Sequence, residues 1–257
     1  MPDIVKIICG GFLLKFKIMQ VLFFFSAFFA EIAGTIAGFG SSTIFLPLAL
    51  FFVDFKTALL LVALTHIFGN LGKITFFKHG IDKRLLIIFG LPSVLLSLFG
   101  ALLVGYINQD ILKMILGIFL AIFSLGSFLM PDFKFAPVAQ NAIVGGAISG
   151  FIAGLIGTGG ALRSAFLTAF NLEKEKYIAT AAVIAIAVDA TRIPVYLSSD
   201  FMDEKYYYFI PMLFVIAILG SFIGRKIVDK ISQDKFRKLV LFAIFLISLK
   251  FIWDYLG

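Results

Sequence analysis

Eight long apolar segments limit what this chain can fold into more than any other feature of its sequence. They run over the approximate ranges 18–37, 57–77, 85–106, 111–130, 139–156, 177–197, 206–224 and 238–253. A helix needs about 20 mostly apolar residues to cross a bilayer, with a range of roughly 17–25. Only 14% of the 257 residues are charged and 61% are hydrophobic, against about 25% and 45–50% in soluble domains. The sequence therefore predicts an all-α, polytopic membrane protein.

Two further apolar stretches, approximately 43–53 and 161–171, are too short to cross a bilayer as helices. Each follows a glycine cluster, which is Gly38-Phe39-Gly40-Ser41-Ser42 in the first case and Gly157-Thr158-Gly159-Gly160 in the second. Broken backbone at membrane depth is tolerated only where it is buried in protein or lines a wet cavity. We therefore expect two half-helices after glycine-rich breaks. The alternative is that glycines only allow close helix packing, since Gly34 and Gly38 have small-xxx-small spacing.

The chain also contains an internal repeat with an offset of 119 residues. The offset superposes both glycine clusters and two pairs of polar residues: Gly38 on Gly157, Gly40 on Gly159, Asn70 on Asp189 and Lys73 on Arg192. Polar residues are scarce in these segments, so the two polar pairs carry more weight than matched leucines would. We infer two membrane repeats of about five segments each, at 18–130 and 139–257, joined by a linker at 131–138.

Loop charges indicate that the two repeats are inverted. The loop at 78–84 is basic and its repeat mate at 198–205 is mostly acidic, whereas in the next pair 107–113 has one lysine and 225–238 is strongly basic. Basic loops face the cytoplasm, and opposite bias in equivalent loops is typical of inverted repeats. This pattern predicts a multi-pass protein of a plasma (inner) membrane with both termini outside the cytoplasm.

The N-terminal segment, residues 1–17, does not fit this orientation directly. Three lysines make it basic and favour the cytoplasmic side: Lys6, Lys15 and Lys17. Lysine side chains can snorkel along a membrane surface, so we interpret the segment as an interfacial helix. A cleaved signal peptide is not expected, because Glu31 and the glycine break follow without a clear cleavage site.

The composition argues against several other classes of protein. The single cysteine, Cys9, cannot form an intrachain disulfide, and no Cys/His cluster has metal-ligand spacing, so neither a metal nor another cofactor is expected. The net charge of +7 is explained by loops, and no basic run is interleaved with exposed aromatics as in nucleic-acid binding. No G-x-S-x-G or H-E-x-x-H motif points to an enzyme.

Ionisable side chains within spans are costly and are functional candidates by default. Five lie well inside the segments: Glu31, Lys73, Arg163, Asp189 and Arg192. They comprise three cations and two acids, an excess that suggests an anionic cargo. His66, Asn70 and Lys73 share one helix face by their spacing.

The N-termini of the two half-helices should also suit an anion, because their amide groups lack helical partners. The predicted anion-binding residues are Gly38, Phe39, Gly40, Ser41, Ser42, Thr43, Asn70, Lys73, Gly157, Thr158, Gly159, Gly160, Arg163, Asp189 and Arg192. Glu31 and His66 are candidates for coupling the cycle to a proton.

Each of these polar residues also has a purely structural interpretation. Asp189 and Arg192, at i and i+3, can neutralise each other as an ion pair between helices. Lys73 can snorkel towards the loop at 78–84. His66 can be a hydrogen-bonded packing residue, and Glu31 can bond to a neighbouring helix instead of taking up a proton.

The two glycine motifs resemble those of the TauE/SafE family of sulfite exporters and related anion permeases. The resemblance lies in Ala37-Gly-Phe-Gly-Ser-Ser-Thr43 leading to Pro47, and in Ala153-Gly-Leu-Ile-Gly-Thr-Gly-Gly-Ala161 followed by Leu162-Arg163. The stretch from Ala182 to Tyr196 is similar to the corresponding second-half helix in one branch of that family. Ser41 and Ser42 stand where the family commonly has glycines, and Arg163 stands where many members are apolar.

This resemblance implies a permease for small, often sulfur-containing anions such as sulfite, a sulfate-like anion or an organosulfonate. Combined with the residues above, it predicts a secondary transporter that works by alternating access at a midplane site between the two glycine breaks. An anion channel using the same residues is the main alternative, and an intramembrane enzyme with Ser41, His66 and Asp189 as a triad is the other. The expected partners are the small anion, the lipid bilayer and, optionally, further copies of the chain, without nucleic acid.

Overall fold

The structure is a computed structural model that describes residues 2–76, 80–131, 133–228 and 230–257. The described residues form ten helices: α1 Pro2–Ala37, α2 Ser42–Ala49, α3 Phe55–Phe76, α4 Lys83–Val104, α5 Gln109–Leu129, α6 Ala139–Ile156, α7 Gly160–Leu167, α8 Lys174–Ser198, α9 Phe209–Val228 and α10 Gln233–Leu256. Eight of them are long and apolar enough to cross a membrane, whereas α2 and α7 have eight residues each. The predicted all-helical membrane architecture is therefore confirmed.

Local signals place several helix ends. Asn108 caps α5 by accepting a hydrogen bond from the Asp110 N–H at 2.7 Å, and Asp82 caps α4 by accepting one from the Leu85 N–H at 3.0 Å. That backbone hydrogen bond, with Lys176 nearby, lowers the pKa of the Asp82 carboxyl below its ordinary value. A π-helical turn at Leu86–Gly90 interrupts α4.

The helices pack in pairs that exchange partners between the two halves. The first helix of each half packs against the fourth helix of the other, so α1 contacts α9 and α6 contacts α4. The equivalent helices α3 and α8 pack on each other, and so do α5 and α10. This pattern is the one expected if the halves are related by a two-fold axis, while the predicted boundaries of the two repeats stay a prediction.

Three glycines let α6 approach α4 closely. A Cβ atom on Gly146, Gly150 or Gly154 would overlap the backbone of α4 at Phe89, Ser93 and Ser97. By the 119-residue offset, the position in α1 that is equivalent to Gly150 is Glu31. The small residue at this contact is on the partner helix instead, because Gly220 of α9 packs against the Glu31 side chain. Close packing therefore explains these glycines, and it leaves room for one buried acid in the first half.

The central helices α3 and α8 run antiparallel. Thr57, near the start of α3, donates a hydrogen bond to the Phe201 carbonyl beyond the end of α8 at 3.1 Å. At the opposite end, the Asp82 N–H bonds to Thr180 Oγ1 near the start of α8 at 2.9 Å. We name the two ends of the bundle after their charged residues in the described part of the chain.

The basic end is where α3, α5 and α9 end and α8 and α10 begin. It carries Lys83, Arg84, Lys134, Lys174, Lys176, Arg225, Lys226, Lys230, Lys235, Arg237 and Lys238, with Asp82, Glu173, Glu175 and Asp234. The acidic end carries Asp54, Asp110, Asp200, Asp203, Glu204 and Asp254, with Lys17, Lys56, Lys113, Lys205 and Lys250. Three lysines used to predict the membrane orientation, Lys6, Lys15 and Lys78, have side chains that lie outside the described part of the structure. Residues 2–17 of this segment continue the first span as part of α1, and the interfacial position of the segment 1–17 stays a prediction.

Candidate functional site

Both glycine clusters break the chain as expected. Gly38 and Gly40 have φ values of 81° and 85°, and Gly157 has 74°, in the left-handed region that side chains rarely adopt. The half-helix α2 follows the first break and α7 follows the second. The breaks touch inside the bundle, where Thr158 donates a hydrogen bond to Thr43 Oγ1 at 2.9 Å.

A polar cavity lies beside the crossing of the two breaks. Its volume is about 70 Å³, room for a few waters or one small oxyanion. It is lined by Gly34, Thr35, Gly38, Gly40, His66, Asn70, Lys73, Gly160, Arg163, Ser164, Tyr177, Ile178, Ala181 and Ala182. Gly38 is exposed and Thr35 and Tyr177 are partly exposed, so the cavity opens towards the basic end, where α1 and α3 end and α8 begins.

Arg163 is the cation without a counter-charge in this cavity. It lies in the first turn of α7 and is only 6% exposed. Within the described part of the chain, its guanidinium makes no ion pair or hydrogen bond, although burying an isolated charge is costly. Before it in the same turn, the amide group of Gly160, which lines the cavity, lacks a helical partner by geometry. Arg163 and this turn together offer an anion several donors.

His66 connects the cavity to a second buried charge pair. Its Nδ1 lies 2.7 Å from Asp189 Oδ2, while its Nε2 is buried, lines the cavity and has no hydrogen-bond partner within the described ranges. Asp189 Oδ1 accepts hydrogen bonds from Arg192 Nε at 2.9 Å and Nη2 at 2.7 Å. Arg192 also donates from Nη1 to the Ala153 carbonyl at 2.7 Å. Asp189 and Arg192 thus pair as the structural alternative expects, and neither lines the cavity.

Lys73 is paired with the buried acid of α1. Its Nζ lies 2.8 Å from Glu31 Oε1, and Ser221 of α9 donates to the same oxygen at 3.0 Å. Glu31 is fully buried. Lys73 lines the cavity at 7% exposure, and its positive charge is neutralised by Glu31.

The remaining predicted residues occupy three kinds of position. Gly38, Gly40, Asn70 and Gly160 line the cavity, and Asn70 Nδ2 donates to the His66 carbonyl at 2.8 Å. Ser41 and Ser42 are buried at the start of α2. Three others support the breaks rather than line the cavity: Phe39, Gly157 and Gly159. Binding by any of these residues stays a prediction.

Four polar residues near the cavity were missed from the sequence. Thr35, Ser164 and Tyr177 line it, and Ser221 holds Glu31 in place. Ser164 follows Arg163 directly and lies within the second short segment, which is a signal that was available. Tyr177 opens a span, where tyrosine normally indicates a membrane interface, and Ser221 comes from a helix without any intramembrane charge.

A layer of packed residues closes the cavity towards the acidic end. We call it the closed layer and define it as Thr43, Leu46, Leu59, Gly157, Thr158, Arg192 and Tyr196. Leu46 and Leu59 pack so tightly at Gly157 that a Cβ atom there would lie 2.9 Å and 2.6 Å from them. Tyr196 is fully buried and donates its hydroxyl hydrogen to the Gly154 carbonyl at 2.5 Å. Among the described residues, the cavity therefore opens towards the basic end and is shut towards the acidic end.

The chain matches one family of known proteins over most of its length. The family model for sulfite exporter TauE/SafE matches residues 23–251, nearly the whole chain, as the glycine motifs predict. No curated protein and no solved structure matches the chain. Among the described residues, no cluster of His, Cys, Asp or Glu could hold a metal ion.

Proposed function

Because the chain belongs to the sulfite exporter TauE/SafE family, we propose that it is a secondary transporter for a small oxyanion or sulfonate. The family consists of membrane transporters, and the eight apolar helices make this chain an integral, multi-pass membrane protein. The substrate, the mechanism and the position of the site are our proposals. Sulfite, a sulfate-like anion or an organosulfonate is the cargo.

The observation that carries the proposal is the buried guanidinium of Arg163, which has no ion-pair partner among the described residues and lies in a cavity between two helix breaks. A buried charge in that position is costly and is compensated when an anion binds. Three groups in the cavity can donate to an anion: the Arg163 guanidinium, the Gly160 amide at the start of α7, and the Asn70 side chain. Glu31 and His66 are the groups through which a proton can be coupled to the cycle.

We further propose that the anion crosses by alternating access. The cavity is open at the basic end and shut by the closed layer at the acidic end, and the breaks that separate the two sides touch through Thr43 and Thr158. The exchange of helix partners between the halves and the antiparallel course of α3 and α8 support an inverted repeat. A movement that closes one side and opens the other would expose the site in turn.

The orientation follows from the charged ends. Basic loops face the cytoplasm, so the cavity is cytoplasmic in this state and the C-terminus, at the acidic end with Asp254, lies outside. We expect a tag fused after Gly257 to react with a membrane-impermeant reagent in intact cells. Labelling only after the cells are permeabilised would overturn the orientation.

The transport proposal can be tested in proteoliposomes with one pair of glycine variants. We expect the wild-type protein to give saturable uptake of at least one of sulfite, sulfate, thiosulfate and an alkanesulfonate. A Cβ atom on Gly40 would lie 3.6 Å from His66 Nε2 and 4.0 Å from Arg163 Nη2, whereas one on Gly38 would meet nothing within 4 Å. The added methyl group would make only ordinary contacts with the protein, but it would take space beside His66 and Arg163 that the anion needs. Because inserting a methyl group into filled space typically costs about 1–3 kcal/mol, Gly40→Ala should reduce uptake about tenfold more than Gly38→Ala.

Gly38→Ala is the matched control because both glycines have positive φ and both variants strain the backbone, by about 1–2 kcal/mol. Equal uptake by the two variants would place the anion elsewhere. Absence of uptake of all four anions by the wild-type protein would refute the transporter, and large unitary currents in a planar bilayer would favour a channel.

A further inference from the structure

His66 presents a buried ring nitrogen, Nε2, to the cavity. The residue is 4% exposed, and no group among the described residues hydrogen-bonds to this nitrogen. Buried polar atoms in proteins are nearly always hydrogen-bonded, so such an atom facing a cavity indicates a bound group. What that group must be depends on whether Nε2 carries a hydrogen.

The contacts of Asp189 decide which ring nitrogen is protonated. Its Oδ1 accepts two hydrogen bonds from Arg192, at 2.9 Å and 2.7 Å, which an ionised carboxylate next to a guanidinium does best. An ionised carboxylate can only accept, so the 2.7 Å contact with His66 requires a hydrogen on Nδ1. A neutral His66 then has a lone pair at Nε2, and the cavity contains an acceptor beside the donors of Arg163.

The charges around His66 favour this neutral form. Asp189 of α8 is already shared with Arg192, and Glu31 of α1 is already paired with Lys73 of the same helix as His66. Arg163 of α7, which makes no ion pair among the described residues, adds a positive charge to the same cavity, and Tyr177 of α8 and Lys73 also line it. A protonated His66 would place a second cation next to Arg163. With His66 neutral, the positive charge of Arg163 can therefore be balanced by a ligand with one negative charge.

We infer that the transporter selects a singly charged oxyanion that still carries a hydrogen, and that this hydroxyl donates to His66 Nε2. The inference rests on the proposed function and deepens it, because it names the protonation state of the substrate. Hydrogensulfite has the required form: its ionised oxygens can accept from Arg163 and its hydroxyl can donate to His66. Sulfate brings a second charge and no hydroxyl, and an alkanesulfonate has the right charge but no hydroxyl.

The inference can be tested by anion binding to the purified full-length protein at several pH values. Calorimetric titrations should be made with sulfite, sulfate and methanesulfonate on both sides of the pH at which hydrogensulfite loses its remaining proton. The affinity for total sulfite should fall about tenfold per pH unit once hydrogensulfite has become the minor species. Methanesulfonate should bind at least about tenfold more weakly than hydrogensulfite and without pH dependence, which also controls for titration of protein groups.

A histidine variant separates the acceptor from the fold. In His66→Asn the amide nitrogen can still donate to Asp189 while the atom at the Nε2 position is missing, so the preference for hydrogensulfite over methanesulfonate should shrink towards one. His66→Gln keeps an amide near the Nε2 position and should recover part of that preference. If the variants do not fold, the pH series of the wild-type protein decides alone.

Affinity for total sulfite that stays constant or rises with pH would overturn the inference, and so would an undiminished preference in a folded His66→Asn. Either result leaves the transporter standing, because sulfite still binds. Absence of binding of every anion at every pH would instead count against the proposed function itself.

Discussion

Replacing Arg163 with glutamine should reduce anion affinity and uptake at least about thirtyfold, the largest functional effect that we expect from a single substitution. Losing one partner of a buried charge pair costs about 2–5 kcal/mol, and about 1.4 kcal/mol is a factor of ten. In the empty protein, however, the guanidinium has no partner among the described residues, so its removal relieves a desolvation cost. The variant should therefore unfold at the same temperature as the wild-type protein or a higher one when no anion is present.

Arg163→Lys is the matched control for charge. It keeps the positive charge but loses the planar fork that binds two oxygens at once, so its uptake should lie between those of the wild-type protein and Arg163→Gln. Added sulfite should raise the unfolding temperature of the wild-type protein and leave that of Arg163→Gln unchanged, since only binding to the native state stabilises it. A glutamine variant that is both less stable and fully active would show that Arg163 is structural.

The second large effect should be on stability and should come from the Asp189–Arg192 pair. Arg192→Met leaves a buried carboxylate without its main partner, and Asp189→Asn leaves a buried guanidinium without a counter-charge. Breaking one side of a buried pair costs about 3–5 kcal/mol, so each single variant should lose about that much free energy of unfolding. Unfolding in detergent micelles, followed by the near-ultraviolet signal, would measure it.

The double variant Asp189→Asn/Arg192→Met distinguishes the pair from two independent residues. The double variant contains no unpaired charge from either residue. Its loss of free energy of unfolding should therefore be smaller than the sum of the two single losses, by at least about 1.5 kcal/mol. The Ala153 carbonyl keeps its hydrogen bond from the Gly157 N–H at 3.0 Å, so the loss of Arg192 does not orphan it. Additive losses would mean that the two side chains act separately.

The architecture was predictable because it depends on length and hydropathy alone. All eight spans and both short helices lie within a few residues of the predicted ranges. The glycine breaks were predictable for a related reason, since the left-handed backbone at Gly38, Gly40 and Gly157 is restricted to glycine in practice. These features are local in the sequence, and no knowledge of neighbouring helices is needed to see them.

The pairing of the buried charges was less accessible. The repeat superposes Lys73 on Arg192 and suggested that the two cations act together, whereas the structure gives each its own acid. The acid for Lys73 is Glu31, which occupies a position that is glycine in the other half, so the repeat itself hides that pair. Only Asp189 and Arg192, three residues apart on one helix, could be paired from sequence. Arg163 was recognised as an intramembrane cation from sequence. That it has no ion pair among the described residues could not be predicted, because this depends on the pairing of the other four charged residues with one another.

The closed layer has an electrical consequence. A cavity that water can enter from the basic end carries the potential of that side inward, so the voltage across a membrane would fall mostly over the packed residues around Gly157. Moving one elementary charge through the full voltage is worth about 2.3 kcal/mol per 100 mV. That energy would act on the conformational step that carries a charge past Thr43 and Thr158, and hardly at all on an anion arriving at Arg163. The membrane voltage would then bias the direction of the cycle and leave the affinity of the open site nearly unchanged.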